Sequence, residues 1–282
     1  HTGLCECKEP AYSVQFTVTA PDGSAIVAVD EDVVIENPKL WWPNGYGDQP
    51  LYTVRAELMA DGETVDVWER RIGLRTMTIA REKDEHGESF AHEVNGVKIF
   101  AMGANYIPMD SMLSRVTPQR LDALIDCAID ANFNTLRVWG GGYYPEDHFY
   151  DLCDEKGILV WQDFMVACAN IWLTEEMEAQ FRQESRDNLL RIQHHASLGL
   201  LCGNNEMEDM ILNAGVQNTE LVRMDYLKLY EHILAEASAE YSPDTYYWPS
   251  SPSSGGGFDD PGSYARGDTH YWKVWHGGVP FT

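Results

Sequence analysis

The residues best suited to chemistry sit in "LGLLCGNNEMED", residues 198–209. An apolar run from Leu198 to Cys202 stops at Gly203, and Asn204, Asn205 and Glu206 follow. Gly and Asn are common where a strand turns, so a plain turn is one reading. The other is a catalytic acid at the mouth of a parallel barrel, where strand ends carry the chemistry. Glu206 would then be a general acid or base, with burial raising its pKa towards neutrality. Asn205 beside it has two donors and an acceptor, which suits a sugar hydroxyl next to the reacting carbon.

Other apolar runs end in the same way, at Asn105 and Tyr106, at Arg137 and Trp139, and at Gln162 and Asp163. Trp139 offers a flat face for a pyranose ring, or else fills the core. Arg137 would hold a carboxylate ionised, or form an ion pair on the rim. Asp163 would hydrogen-bond hydroxyls, or cap the next loop. "GDTHYWKVWHGG", residues 267–278, crowds His270, Tyr271, Trp272, Trp275 and His276 together. Aromatics mixed with His and Gly suit a sugar-binding loop, with His270 and Trp272 as its contacts. His270 and His276 lack a further Asp, Glu or Cys at ligand spacing, so neither metal nor cofactor is expected. His194 and His195 fall in a predicted helix and are given no chemical role.

Such residues need elements to position them, and the pattern changes near residue 90. Before it come short alternating runs such as "YSVQFTVTA", "AIVAVDEDVVIE", "LYTVRAELMA" and "TVDVWERRIGL", separated by "PDG", "PNGYG" and "DG" turns. They predict an antiparallel β-sandwich over residues 1–80, with a charged connector at 81–91. From 92 to 282, strands alternate with amphipathic helices. "VKIFAMGANYIP", "NTLRVWGG", "ILVWQDF", "LGLLCG" and "TYYWPSS" read as strands. Thr117 and Pro118 open the first helix as N-cap and first helical residue. Strand–helix repetition means parallel strands with right-handed crossovers. A doubly wound nucleotide-binding sheet would need a Gly-rich turn after its first strand, and "GANYIPMD" is not one. The expected fold is therefore multidomain β plus α/β, with an immunoglobulin-like β-sandwich followed by an incomplete (β/α)8 TIM barrel.

Composition argues against nucleic-acid and membrane partners. The 282 residues are 44% hydrophobic, enough for a sizeable core, and carry a net charge of −25. That charge repels phosphate backbones and anionic lipid surfaces. The six cysteines read as reduced, with Cys127, Cys153, Cys168 and Cys202 in apolar or helical patterns. No Asn-x-Ser/Thr sequon occurs. Both features favour a cytoplasmic protein, and the alternative, should a signal precede residue 1, is a lysosomal or secreted one.

Together, "NPKLWWPNGYGDQPLY", "RIGLRT", "NTLRVWGGGYY", "WQDFMVAC", "GNNE" and "GDTHYWKVWHGG" resemble the β-mannosidase branch of glycoside hydrolase family 2. The resemblance implies retaining hydrolysis of terminal β-mannosides, with Glu206 as acid/base and Asn205 on the sugar. It also implies that Trp139, Asp163 and Arg137 lie in or beside the glycone pocket. Trp41 and Trp42 are expected to pack the sandwich against the barrel. The sequence departs from that pattern in lacking a first sugar-binding sandwich and in carrying Met207 where an Asn is usual. It has no Glu after Glu240, so the strand-seven nucleophile is absent. A fragment of a longer enzyme is expected, inactive alone, prone to associate along an unpaired sheet edge, and able to form a homo-oligomer. A non-catalytic carbohydrate-binding protein, or a β-glucuronidase- or β-galactosidase-like hydrolase, is the alternative.

Overall fold

A computed structural model describes residues 12–27, 35–169, 171–213 and 218–281. Cys5, Cys7 and part of the strand predicted after Ala25 lie outside them. β1 (Tyr12–Thr19), β2 (Ala25–Val27), β3 (Tyr52–Ala60) and β4 (Glu63–Ile72) form one antiparallel sheet in the order β2-β1-β3-β4. The "DG" signal is the hairpin loop between β3 and β4. Asp61 and Gly62 both take positive φ, 52° and 89°, which matches the twist of the flanking strands. Among the described residues this sheet is a single layer, with Val14, Phe16 and Trp68 about half exposed.

The expected boundaries need correction here. β5 (Met77–Ala80) does not join the first sheet. It pairs with β6 (Ala91–Val94), which pairs with β7 (Val97–Ile99), in a separate antiparallel sheet. The stretch "VKIFAMGANYIP" is therefore two strands, β7 and β8 (Gly103–Tyr106). Asn95 and Gly96 turn the β6–β7 hairpin at φ 50° and 77°. After Ile99 the chain crosses to another sheet, and Asn134 fixes the crossing by bonding the Phe100 carbonyl and the Met102 amide.

β8, β9 (Thr135–Val138), β10 (Leu159–Asp163), β11 (Leu198–Cys202) and β12 (Tyr247–Trp248) form a wholly parallel sheet in sequential order. Sequential order has no switch point, which rules out the doubly wound arrangement. The crossovers contain α1 (Pro118–Asp130), α2 (Asp147–Lys156) and α3 (Glu175–Ile192). After β11 come α4 (Met207–Asn213), α5 (Glu220–Tyr226), a π-helical stretch Leu227–Ile233 and α6 (Leu234–Tyr241), so the predicted fourth helix changes pitch midway. The short α7 (Lys273–His276) lies near the end. Thr117 and Thr174 cap α1 and α3 through their hydroxyls, and Gly157 closes α2 at φ 74°. The main core holds Ile125, Phe149, Ile158, Val160, Leu189 and Ile233 between sheet and helices. His194 and His195 follow α3 rather than lying within it. His195 is buried and its Nδ1 sits 2.7 Å from Asp154 Oδ2.

Trp41 joins the two halves. It is fully buried against Val94, Ile99, Leu159 and Ala196, and its indole donates to the Asp154 carbonyl at 2.8 Å. Arg75 of "RIGLRT" donates to the carbonyls of Ala196 and Leu198 at the start of β11. The packing role expected for Trp41 is what the structure has.

Candidate active site

The C-terminal ends of β8, β9, β10 and β11 open into a cleft of about 550 Å³. Trp139, Asn205, Glu206, His270, Trp272 and Arg137 all line it. Among the described lining residues, Glu206 is the one carboxylate.

The two amides after β11 divide the two sequence readings between them. Asn204 is the turn residue. It is fully buried, accepts from the Met207 amide at the start of α4 and from Ser250, and donates to the Pro249 carbonyl. Asn205 faces the cleft. Its neighbours are fixed because bridges join it to Ala167 on one side and Ser251 on the other. Glu206 takes φ 65°, a left-handed conformation that costs a non-glycine residue about 1–2 kcal/mol. Its amide donates to the Ser251 carbonyl at 2.7 Å, which holds it there.

Trp139 owes its position to the glycines after it. A Cβ on Gly141 would lie 1.9 Å from the indole, so only glycine lets the ring lie across the chain. A Cβ on Gly140 would meet the Phe164 and Val166 carbonyls at 2.7 and 2.6 Å. That close approach lets the Gly140 amide donate to Asp163 at 3.0 Å.

Asp163 does not reach the cleft, which corrects its expected contact with sugar hydroxyls. It has no exposed surface and lies beneath the cleft. It accepts two bonds from Arg137, at 2.8 and 3.2 Å, and one from Trp161 at 2.9 Å. Burial pushes its pKa up, and the paired guanidinium works against that push. Arg137 then donates to Asn205 Oδ1 at 2.9 Å. Asp163 therefore orients Arg137, and Arg137 orients Asn205. The Asn205 amide nitrogen is left to donate to Cys168 Sγ at 3.3 Å.

Glu206 also departs from expectation, since its pKa is lowered to about 2 rather than raised. His270 Nδ1 lies 2.7 Å from Oε1, Trp272 Nε1 donates to the same oxygen at 3.4 Å, and the Cys168 thiol donates to Oε2 at 3.4 Å. The contact with His270 is the main cause and outweighs burial, because Glu206 still keeps 24% of its side-chain surface.

Three contributors escaped the sequence reading. Cys168, read as a small hydrophobe, is exposed in the cleft at φ 50°. Burial and the nearby Glu206 push its pKa up, so it stays a thiol and a donor. Ser251 and Asp268 stand behind His270. No local pattern reveals them, since their partners lie many residues away. Glu208 is fully buried and holds Ser253 and the Phe258 amide instead of facing the cleft.

The family model for glycosyl hydrolases family 2 matches residues 7–75. A β-mannosidase B of Aspergillus clavatus is 41% identical over 266 residues, which is 91% of this chain and 31% of that protein. A β-mannosidase B of Aspergillus niger is 38% identical, over 95% of this chain and 34% of its own length. The crystal structure of a β-D-mannosidase from Dictyoglomus thermophilum superposes with a TM-score of 0.87 at 37% identity, over 96% of this chain and 34% of that one. A Parabacteroides merdae β-glucuronidase, 18% identical with a TM-score of 0.65 over 86% of this chain and 30% of its own, shares the fold. The chain thus spans about a third of the length of the curated relatives it matches. Over 91–96% of its length the chain is similar to β-mannosidases, and residues 7–75 match glycosyl hydrolases family 2.

Proposed function

We propose that this chain forms part of the active site of a retaining glycoside hydrolase that acts on terminal β-mannosides. Glu206 is the general acid/base, and Asn205, Trp139, His270 and Trp272 surround the sugar. The observation that carries the reading is the convergence of one cleft carboxylate, Glu206, with Asn205 and Trp139 at adjoining strand ends. The sequential parallel sheet is read as part of the wall of a (β/α)8 barrel, whose strand ends carry catalysis. Likeness to named β-mannosidases at 37–41% identity supports a mannoside over a glucuronide. No helix of the described residues is long and apolar enough to cross a membrane.

In the first step a nucleophilic carboxylate attacks the anomeric carbon while Glu206 protonates the departing oxygen. In the second, Glu206 takes a proton from the water that releases the sugar. The two carboxyl groups of such a pair stand about 5–5.5 Å apart. Asp163 is locked to Arg137 and Glu208 is buried, so neither is free to attack. The nucleophile is therefore proposed to lie outside residues 1–282.

Glu206→Gln tests the assignment in the protein that supplies both carboxylates. Turnover of β-mannosides with poor leaving groups should fall about 10²–10⁴-fold, and activated aryl mannosides should lose far less. Equal losses for both would refute the acid role. Residues 1–282 alone should bind sugar weakly and show no turnover of an aryl β-mannoside.

A further inference from the structure

Behind Glu206 runs a chain of hydrogen bonds that ends in the interior. His270 Nδ1 is 2.7 Å from Glu206 Oε1, and His270 Nε2 is 2.9 Å from Ser251 Oγ. Ser251 Oγ donates to Asp268 Oδ2 at 2.6 Å. The other oxygen of Asp268 accepts from Trp248 Nε1 at 2.7 Å and from the Ser253 amide at 3.0 Å. Three donors on two oxygens mark Asp268 as the acceptor end of the chain.

Counting hydrogens then settles the direction of each bond. A hydroxyl has one hydrogen, and Ser251 gives it to Asp268. The Ser251 oxygen must therefore accept from His270 Nε2, which fixes a hydrogen on that nitrogen. One contact remains, between Nδ1 and Oε1, and it needs a single hydrogen shared by two atoms.

We propose that His270, fixed by Ser251 and Asp268, is a positioning residue that keeps the catalytic proton in reserve for Glu206. The inference rests on the acid/base reading of Glu206. Without substrate, the proton rests on Nδ1 and Glu206 is a carboxylate, the form its depressed pKa favours. When the leaving group departs, the proton crosses from Nδ1 to Oε1 and on to the glycosidic oxygen. That oxygen keeps the electron pair of the broken C–O bond. In the second step, water bonds to the anomeric carbon and the ester to the nucleophile breaks. The water's proton returns through Oε1 to Nδ1, so none is gained or lost over the cycle. Other charged or titratable groups facing the pair are the Cys168 thiol, at Oε2, and Arg137 with Asp163, reached through Asn205. None of these stands on the path from Nδ1 to Oε1.

The test uses His270→Asn and Ser251→Ala. Asparagine can still donate from near the position of Nδ1 but has no proton to release. Carbon-13 NMR of the Glu206 carboxyl should show no titration between about pH 4 and 8 in the unchanged protein. In His270→Asn a titration should enter that window, and Ser251→Ala should shift Glu206 the same way by less. In the active protein, His270→Asn should slow poor-leaving-group mannosides about 10²-fold and largely spare activated ones, with an altered pH–rate profile. If both variants fold and leave the Glu206 titration, the pH profile and the leaving-group dependence unchanged, the proposal is overturned. If Glu206→Gln itself leaves turnover unchanged, the acid/base reading fails instead, and the two failures are distinct.

Discussion

Around Glu206 the wall of the cleft supplies donors. Around Glu208, two residues on, the interior supplies burial. Glu206 receives a ring nitrogen, an indole and a thiol, and its pKa is lowered to about 2. Glu208 receives one hydroxyl and one amide in a fully buried site, and its pKa is raised to about 7. Desolvation is the leading cause at Glu208, and the nearby acids Glu231 and Asp268 add to it. The sequence alone would have picked the wrong carboxyl as the one with a near-neutral pKa. A shifted pKa points to function only where the group also reaches a cleft. Glu208 instead anchors the loop that carries Ser253, which in turn accepts from the Gly255 and Gly256 amides.

The comparison is most exposed at a third carboxyl, Asp163. If its task is to balance Arg137, Asp163→Ala strands a guanidinium whose side chain is only 13% exposed. Urea unfolding should show a loss of about 3–5 kcal/mol, and a loss below about 1 kcal/mol would mean that water already screens the pair.

Next in size is Glu208→Gln. A carboxyl whose pKa rises on folding contributes stability in its neutral form. That contribution is complete below the unfolded value of 4.5 and is lost as pH climbs through about 7. Over that span the unchanged protein should lose about 3 kcal/mol relative to the glutamine variant, read from unfolding curves at several pH values. Parallel curves would mean that Glu208 is ionised and satisfied where it lies.

Asn205→Ala should cost about 1–3 kcal/mol of transition-state binding, visible in kcat/KM for a β-mannoside. A change confined to thermal stability would make Asn205 a second turn residue like Asn204. The smallest effect is reserved for Cys168→Ala. It removes one weak donor from Glu206 and should raise that carboxyl's pKa by less than His270→Asn does.

The parallel sheet was legible in advance because apolar runs such as those at β10 and β11 alternate with helices, and Thr117 and Pro118 open the first helix by local chemistry. The crossing after Ile99 was not, because "VKIFAM" continues the apolar run across a change of sheet. Within the site, Glu206, Asn205 and Trp139 were legible from their positions at strand ends. The placing of Asp163 beneath the cleft was not, because alternation marks which residues are buried but not which carboxyl finds a buried arginine. Ser251 belongs to a stretch of Ser and Gly that reads as loop, and only the tertiary fold brings it to Asp268 and His270, which sit close together in "GDTHYWKVWHGG".

The slot filled by Trp41 bears on what a cut in the backbone would do. The segment between β5 and β6 is where the sequence pattern changes between two predicted domains, and it is an inviting site for a protease. Yet the strands on either side of it are paired through Ile79 with His92 and Ala80 with Ala91. Trp41 binds the leading piece to Val94, Ile99, Leu159 and Ala196 of the trailing one. A chain nicked there would travel as a single particle in native buffer and separate into two peptides only under denaturant. The division visible in composition is a boundary of sequence, and among the described residues strand pairing and Trp41 tie its two sides together.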